Sequence, residues 1–184
     1  ANGSCQKNVS ISSTFSSNAT ITDTNGGTNA MERPTLSYMT FAGAGTTWTA
    51  NTLNATATNG ITISSPATQV FYWIGGAGSW SDGGRWSLSS GGSASGCVPT
   101  RVDDVIFDNN SFPGSNQMVT LNTTAEVANM TWTAGVNASP NFAGSSSLTI
   151  NGDLNVAGNM DWQLSGALTL RKSIALNSAM TWSQ

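Results

Sequence analysis

The side chains that could perform chemistry are concentrated in one acidic cluster, formed by Asp103, Asp104, Asp108 and Asn109. Calcium binds oxygen ligands of this kind, so the cluster is a candidate calcium site. Its spacing is not that of an EF-hand loop, and aspartate beside a strand is also a common turn residue. Paired-carboxylate catalysis is disfavoured, because neighbours such as Asp103 and Asp104 point to opposite faces of a strand. We therefore predict no catalytic residue, no metal and no cofactor, with calcium kept as the alternative.

The composition excludes several classes of function. The chain of 184 residues has no histidine, which rules out Ser–His–Asp and Cys–His catalysis and imidazole ligation of a metal. Its 6 basic residues are dispersed, whereas a nucleic-acid-binding protein needs a basic surface. No apolar run approaches the roughly 18 residues of a membrane helix. We expect a non-enzymatic protein that neither binds nucleic acid nor inserts into a membrane. A polysaccharide-degrading enzyme is a weaker alternative, since Arg171 and Lys172 stand alone on their turn.

Two tryptophans in glycine- and serine-rich surroundings, Trp80 and Trp86, are the candidate ligand-binding residues. Their flat rings would suit a sugar, so a carbohydrate-binding module is the alternative function. Packing inside a cap is the competing interpretation, because exposed aromatic side chains need a reason. Trp48 has similar surroundings. Thr-x-Thr pairs such as Thr47–Thr49 are typical of ice-binding surfaces when they align on a flat face, but they do not recur at the period of the repeat described next.

An internal repeat is the strongest signal in the sequence. Ser147–Leu164 aligns with Ala167–Gln184 at a shift of 20 residues, and six apolar positions coincide in three pairs. We expect the residues at these positions to stack in ladders: Leu148, Ile150, Leu154, Val156, Met160, Trp162, Leu168, Leu170, Ile174, Leu176, Met180 and Trp182. A related segment, Asn129–Trp132, lies 30 residues before the matching Met-x-Trp pattern. This predicts an insertion within Thr133–Ser146, and it places Trp132 in the ladder of Trp162 and Trp182.

The spacing of the repeat predicts the fold class. Apolar-x-apolar is the pattern of a strand with one buried face. Three such strands in 20 residues, separated by Asn, Gly and Ser corners, indicate one coil of a three-sided β-solenoid that rises about 4.8 Å per coil. One coil cannot bury its apolar face alone, so several must stack. The predicted fold is all-β, a right-handed β-solenoid (β-helix) with almost no helix.

A longer repetition indicates two modules. Leu36–Phe41 matches Val127–Trp132 at a shift of 91 residues. We predict that residues 1–69 are the C-terminal part of one solenoid module, that residues 70–104 form a head rich in glycine and tryptophan, and that residues 105–184 are coils of the next module. The start at Ala1 and the stop within a repeat lead us to expect a segment of a longer secreted chain.

The two cysteines are expected to be unbonded to each other. Cys5 and Cys97 are offset by 92 residues, nearly the offset of the modules. In one continuous solenoid they would lie about four coils apart, a separation of roughly 20 Å. A disulfide allows a Cα separation of only about 7 Å.

The densest motif is the head segment Phe71–Ser87, followed by Gly96–Thr100 and Asp103–Asp108. Its glycines permit tight turns with positive φ, and its tryptophans are large apolar groups that would cap the end of a solenoid against aggregation. The residues expected to build the head are Trp73, Gly75, Gly76, Gly78, Cys97 and Pro99.

This pattern resembles a known family. Tyr-Trp-x-Gly-Gly-x-Gly-x-Trp-Ser-Asp, Gly-Cys-x-Pro-Thr and Asp-Asp-Val-x-Phe-Asp, followed by Met-Thr-Trp and Leu-Thr-Ile coils, resemble repeats in giant surface adhesins of Bacteroidota, similar to the SprB-like gliding-motility adhesins. The resemblance covers about Phe71–Gln184 well and the first part of the chain loosely. It implies export by the type IX secretion system, attachment at the outer membrane and display at the cell surface as a filamentous adhesin, with a part in gliding motility.

The expected function is therefore mechanical. We predict a structural shaft or filament segment of a giant extracellular adhesin that mediates surface attachment. The expected partners are extracellular polysaccharide or a solid surface, neighbouring copies or modules of the same protein and, by resemblance, the type IX secretion machinery.

Overall fold

The computed structural model describes residues 9–133 and 139–183. It is all-β, with 47% strand and 2% helix, and forms a β-solenoid of about eight turns in which parallel strands stack. The predicted all-β solenoid is thereby confirmed. The chain divides into two compact units, Ala1–Ala67 and Thr68–Gln184, and each is described by itself below.

The first unit is built of three-sided coils. Within its described residues it contains seven strands: β1 (Ser10–Ser12), β2 (Ala19–Thr22), β3 (Gly27–Glu32), β4 (Thr35–Ala42), β5 (Thr46–Asn51), β6 (Asn54–Asn59) and β7 (Thr62–Ser64). The two halves of β4 pair with β1 and with β2, so that this strand supplies two sides of one coil. The third side is the parallel sheet β3-β5-β7. Leu36 pairs with Ala55, one coil of 19 residues further on.

A residue with positive φ makes the corner inside each of the two long strands. Tyr38 divides β4 at φ 53°, and Ala57 divides β6 at φ 50°. The left-handed region is unfavourable for residues with a side chain. These corners therefore depend on the flanking strand pairs, Ser37 with Thr56 and Met39 with Thr58, which hold the backbone on both sides.

The second unit has the same three-sided plan. Its described strands are β8 (Val70–Trp73), β9 (Gly78–Ser79), β10 (Trp86–Ser87), β11 (Asp104–Phe107), β12 (Met118–Thr120), β13 (Ala125–Val127), β14 (Met130–Trp132), β15 (Asn141–Gly144), β16 (Leu148–Ile150), β17 (Leu154–Val156), β18 (Asp161–Leu164), β19 (Leu168–Leu170), β20 (Ile174–Leu176) and β21 (Thr181–Trp182). One side is the stack β8-β11-β14-β17-β20, the second is β9-β12-β15-β18-β21, and the third is β13-β16-β19.

The register of the last coils matches the shift of 20 residues. The pairs are Leu148 with Leu168, Ile150 with Leu170, Leu154 with Ile174, Val156 with Leu176, and Trp162 with Trp182. Met160 and Met180 directly precede the paired residues Asp161 and Thr181. In the inner coil the apolar members of these pairs are buried, as alternation along a half-buried strand requires.

The expected position of Trp132 in the ladder is wrong. Trp132 pairs with Val156, and the partner of Trp162 is Phe142. The stretch from Trp132 to Phe142 is four residues longer than the stretch from Val156 to Trp162. This places the insertion within the predicted segment. A Met-x-Trp pattern fits any side of a coil, so the length of the following corner, and not the pattern, decides which side it occupies.

The two units share a coil plan that the shift of 91 residues predicted. From residue 34 to residue 41 and from residue 125 to residue 132, buried and half-buried positions alternate in an identical order. In both segments two half-buried residues interrupt the alternation, at Ser37–Tyr38 and at Ala128–Asn129. The chain therefore passes from one side of the coil to the next at the same place in each unit.

Glycines at corners allow neighbouring coils to approach closely. A Cβ on Gly144 or on Gly166 would collide with the backbone carbonyl of the coil below, at Leu121 and at Ser146 respectively. Gly60 meets Phe41 in the same way in the first unit, and its φ is 71°. The close stacking of coils therefore requires residues without a side chain at these corners.

Candidate functional site

The head of the second unit is an edge cap built around buried tryptophans. Strand β8 is the first strand of its side and pairs with β11 in parallel, while β10 pairs with β8 in the antiparallel direction. The indole N–H of Trp73 donates to the carbonyl of Gly76, and that of Trp86 donates to the carbonyl of Trp80 at 2.9 Å. The head thus contributes a coil of its own and covers its edge with a short reversed strand, a common protection of a sheet edge.

The expected sugar platform at Trp80 and Trp86 is wrong. These side chains are 1% and 0% exposed, and their ring centroids lie 4.8 Å apart in an edge-to-face arrangement. Trp86 also packs edge-to-face on Trp73 at 5.0 Å, and both Trp80 and Trp86 contact Phe107. Aromatic pairs of this geometry add to the stability of a core. Neither ring presents a face to solvent, because Trp73, Phe107 and Phe142 pack around them.

The head glycines make room for two polar side chains. Gly75 and Gly76 have φ values of 77°. The guanidinium of Arg85 donates to the carbonyl of Gly75 at 2.6 Å and fills the space where side chains on Gly75 and Gly78 would lie. The amide of Gln117 occupies the equivalent space above Gly76. The predicted structural role of these glycines is explained by this packing, because a side chain at any of the three positions would overlap Arg85 or Gln117.

Cys97 and Pro99 are both buried in the head. Cys97 is disulfide-bonded, and no described cysteine is free. The expectation that Cys5 and Cys97 are not bonded to each other involves a residue outside the described ones. Cys5, the other cysteine of the chain, lies outside the described residues.

The acidic cluster does not converge on one point. Asp103 is buried and accepts hydrogen bonds from the backbone N–H of Gln69 and from both the backbone and the hydroxyl of Thr100. Asp104 instead accepts from Asn129. Within residues 9–133 and 139–183, no group of three or more His, Cys, Asp or Glu side chains could hold a metal ion.

The rest of the cluster forms a turn. Asp108 accepts from the backbone N–H of Asn110 at 2.9 Å, and its own N–H donates to the hydroxyl of Ser111. These are the local bonds of an Asp turn. The carboxylates of the cluster therefore serve three separate hydrogen-bond networks, and this arrangement does not favour the calcium alternative.

A polar ladder along one corner was not found in the sequence analysis. It consists of Asp104, Asn129, Asp153 and Ser173, one residue in each successive coil, and we call it the corner ladder. The side-chain oxygen of each of the first three accepts the backbone N–H of the next, at 3.2, 2.8 and 3.1 Å. The amide of Asn129 also donates to Asp104 at 2.7 Å. The signal in the sequence is a short polar residue directly before each apolar-x-apolar strand of this side.

Replacing Asn129 by alanine should lower the free energy of unfolding of the second unit by about 1–3 kcal/mol, because two hydrogen bonds are lost and the half-buried carboxylate of Asp104 loses its amide donor. The substitution removes the amide bond to Asp104 and the bond from the N–H of Asp153, and it leaves the backbone N–H of Asn129 bonded to Asp104. Denaturant unfolding followed by circular dichroism measures this change. The control is Asn155→Ala, at an exposed position of β17, which should change stability by less than about 0.5 kcal/mol. If the two variants lowered the free energy of unfolding equally, the corner ladder would not contribute to the stability of the second unit.

Two carboxylates should make the fold sensitive to acid. In the first unit, the backbone N–H of Asn25 and the amide of Asn29 lower the pKa of Asp23 from its ordinary value of 3.8. In the second, partial burial raises the pKa of Asp161, but hydrogen bonds from Gln163, Ser183 and Thr181 outweigh it, so that its pKa is also lowered. A lowered pKa stabilises the folded state above the unfolded pKa, and this contribution disappears as the pH falls through the folded pKa.

We therefore expect the stability of both units to fall as the pH drops below 3.8. Urea unfolding at a series of pH values between about 2 and 6 measures the slope. Asp161→Asn should flatten this slope in the second unit and leave that of the first unit unchanged. If Asp161→Asn left the slope of the second unit unchanged, Asp161 would not be a source of its acid sensitivity.

The described residues include no helix with the length and apolar character needed to cross a membrane. No model of a known protein family, no curated protein and no solved structure matches this chain.

Proposed function

We propose that this protein is a structural shaft segment of a large extracellular adhesin at the surface of a bacterial cell. The observation that carries the proposal is the unbroken parallel stack β8-β11-β14-β17-β20. Along it an apolar residue of each strand pairs with an apolar residue of the next: Phe71, Val105, Met130, Leu154 and Ile174. A stack of this kind gains about 4.8 Å of length for each coil and needs no large globular core. It therefore suits a part whose task is to bridge a distance.

Hydrogen bonds between successive coils support the role of a mechanical spacer. Besides the strand pairs, side chains join successive coils: the corner ladder, the amide of Asn151 to Glu126 at 3.0 Å, and the amide of Asn177 to the carbonyl of Ala157. In the first unit Asn51 and Glu32 are bonded in the same way at 2.9 Å. Each coil is thus tied to its neighbour at the sides and at the corners, which opposes bending and unwinding.

The outer surface supports attachment and close packing. Charged residues make up only 8% of the chain, so neighbouring copies would repel one another little. Outward positions of the first unit carry hydroxyls, such as Ser10, Thr28 and Thr47. Hydroxyl-rich surfaces suit polysaccharide, the partner that the resemblance to surface adhesins implies. Outer-membrane attachment, type IX export and gliding motility are part of the same proposal and rest on that resemblance.

The carbohydrate-binding module is not kept as a second candidate. It depended on Trp80 and Trp86 as an exposed platform, and both rings lie inside the head. Mutation of either tryptophan would destabilise the core of the head, and it would not alter a surface that a sugar could reach.

The test is electron microscopy of cells that make the protein. Gold-labelled antibodies against this chain should mark thin surface fibres, and deletion of the gene should remove the fibres and weaken attachment to polysaccharide-coated glass. Re-expression of the gene is the control. Label inside the cell, or deletion mutants that attach normally, would refute the proposal.

A further inference from the structure

Asparagine followed by glycine is a chemically reactive pair that recurs in this chain. The backbone nitrogen that follows an asparagine can attack the side-chain amide, and a glycine nitrogen reaches it most easily because no Cβ stands in the way. Three such pairs lie within residues 9–133 and 139–183: Asn25–Gly26, Asn59–Gly60 and Asn151–Gly152. The pairs are identical in sequence, so the structure decides which of them can react.

The pair at Asn151 is blocked by hydrogen bonds. Its side-chain amide donates to Glu126 at 3.0 Å and to the carbonyl of Val127 at 3.1 Å. The attacking group would be the backbone nitrogen of Gly152, whose N–H donates to the carbonyl of Ala128 at 2.6 Å. Both reacting groups are therefore tied to the preceding coil, and these bonds must open before the groups can meet.

The pair at Asn59 is restrained by strand pairing. Asn59 is the last residue of β6 and pairs with Thr40. Gly60 lies so close to the carbonyl of Phe41 that an added Cβ would collide with it. The neighbouring coil thus holds the backbone on both sides of the reacting bond, and this packing resists the rotation that the attack requires.

Asn25 lies in an exposed corner between β2 and β3 and is not held in this way. Its side chain is exposed, and among the described residues its amide has no hydrogen-bond partner and the N–H of Gly26 has no acceptor. Gly26 has a φ of 74°, and the atom nearest to an added Cβ would be the carbonyl oxygen of Gly45 at 3.5 Å. The two reacting groups can therefore turn toward each other without breaking a contact.

The ends of this corner are fixed. The N–H of Asp23 donates to the carbonyl of Ala42, and the N–H of Gly27 donates to the carbonyl of Gly45, both at 3.0 Å. The carboxylate of Asp23 also accepts the backbone N–H of Asn25 at 2.8 Å. A short loop that is held at both ends keeps the amide close to the attacking nitrogen, and intramolecular reactions gain from such proximity.

We propose that Asn25 is a site of spontaneous covalent modification for which the chain itself supplies the nucleophile. The backbone nitrogen of Gly26 bonds to Cγ of Asn25, and the bond from Cγ to Nδ2 breaks. The side-chain nitrogen leaves as ammonia and takes up the proton that Gly26 loses. Water then opens the cyclic imide. Opening at the side-chain carbonyl gives aspartate, and opening at the backbone carbonyl gives an isoaspartate linkage.

Both products would loosen this corner of the first unit. Aspartate adds a second negative charge two residues after Asp23, whose carboxylate lies against the backbone of residue 25, and like charges at close range repel. Isoaspartate adds one carbon to the backbone between Asp23 and Gly27, whose N–H groups are bonded to the neighbouring coil. The modification would therefore weaken the contact between these coils as the protein ages, and it does not depend on the proposed shaft function.

The experiment is peptide mapping by mass spectrometry of the purified full chain after incubation in mildly alkaline buffer, which favours loss of the attacking proton. We expect Asn25 to exchange its side-chain nitrogen for oxygen about tenfold faster than Asn151, whose bonds must open first, and also faster than Asn59. Asn25→Gln should remove the mass change from its peptide, because the longer side chain must close a larger ring. Circular dichroism verifies that the chain stays folded.

Incubation in urea is the control, because unfolding removes the contacts that distinguish the three pairs. In urea the rates at Asn25, Asn59 and Asn151 should agree within about threefold, since each is followed by glycine. Equal rates in the folded chain, or a faster reaction at Asn151, would overturn the proposal, because the structure would then not select the site. A folded chain in which Asn25 stays intact would overturn it as well.

Hydrogen exchange of the incubated chain tests the effect on the corner. We expect faster exchange at the amides of Asp23 and Gly27, because their bonds to the neighbouring coil are weakened. Unchanged exchange at both amides in the modified chain would refute the loosening of the corner.

Discussion

Replacing Trp86 by alanine is expected to lower the free energy of unfolding of the second unit by about 3–5 kcal/mol, the usual cost of truncating a buried tryptophan. The side chain is fully buried and packs edge-to-face on Phe71, Trp73 and Trp80. Its indole N–H also bonds to the carbonyl of Trp80, and the loss of this donor leaves a buried acceptor unsatisfied. Denaturant unfolding followed by tryptophan fluorescence measures the change.

The matched control is Trp182→Ala. Trp182 is 47% exposed and contacts one ring, that of Trp162, at a centroid distance of 5.2 Å. Its removal should cost only about 1 kcal/mol, because truncation of a half-exposed ring loses little buried area. If Trp86→Ala and Trp182→Ala were equally destabilising, the head would not be the packed cap described here.

Replacing Gly60 by alanine should destabilise the first unit by about 2–4 kcal/mol, from a left-handed backbone and from overpacking. The φ of Gly60 is 71°, and an added Cβ would collide with the carbonyl of Phe41 in the neighbouring coil. Backbone cannot rotate away as a flexible side chain can, so the two coils must separate locally. Hydrogen exchange of the amides in β4 and β6 reports the loss, since these strands pair across the affected contact.

Gly45 provides a control with the same backbone conformation. Its φ is 70°, and nothing lies within 4 Å of an added Cβ. Gly45→Ala should therefore cost only the backbone term, about 1–2 kcal/mol. The difference between the two variants isolates the close approach of neighbouring coils. Equal hydrogen exchange in Gly60→Ala and Gly45→Ala would show that coil stacking does not depend on glycine at this corner.

The register of the last coils was predictable from the sequence because it depends on local alternation. Leu148 and Ile150 point inward for the same reason as Leu168 and Leu170: residues two apart lie on one face of a strand. A repeat at a constant shift then pairs equivalent residues without any need to know the corner geometry. The same reasoning identified the coil plan that the two units share.

The corner ladder shows what alternation alone does not reveal. Asp104, Asn129 and Asp153 are ordinary turn residues by type. Their function as acceptors for the next coil depends on the backbone N–H that the stacked coil brings within 3.2 Å. The sequence shows the pattern of the corner ladder only after the strands that follow these residues have been assigned to one side of the solenoid.

The sequence by itself determined the all-β class, the three-sided coil, the inward residues of each strand and the correspondence between Leu36–Phe41 and Val127–Trp132. Each of these follows from spacing along the chain. The tertiary structure decided the side on which Trp132 lies, the burial of Trp80 and Trp86 and the bonding of Cys97. These depend on where a corner turns the chain and on which distant backbone then covers a side chain, and neither is contained in the local alternation of apolar and polar residues.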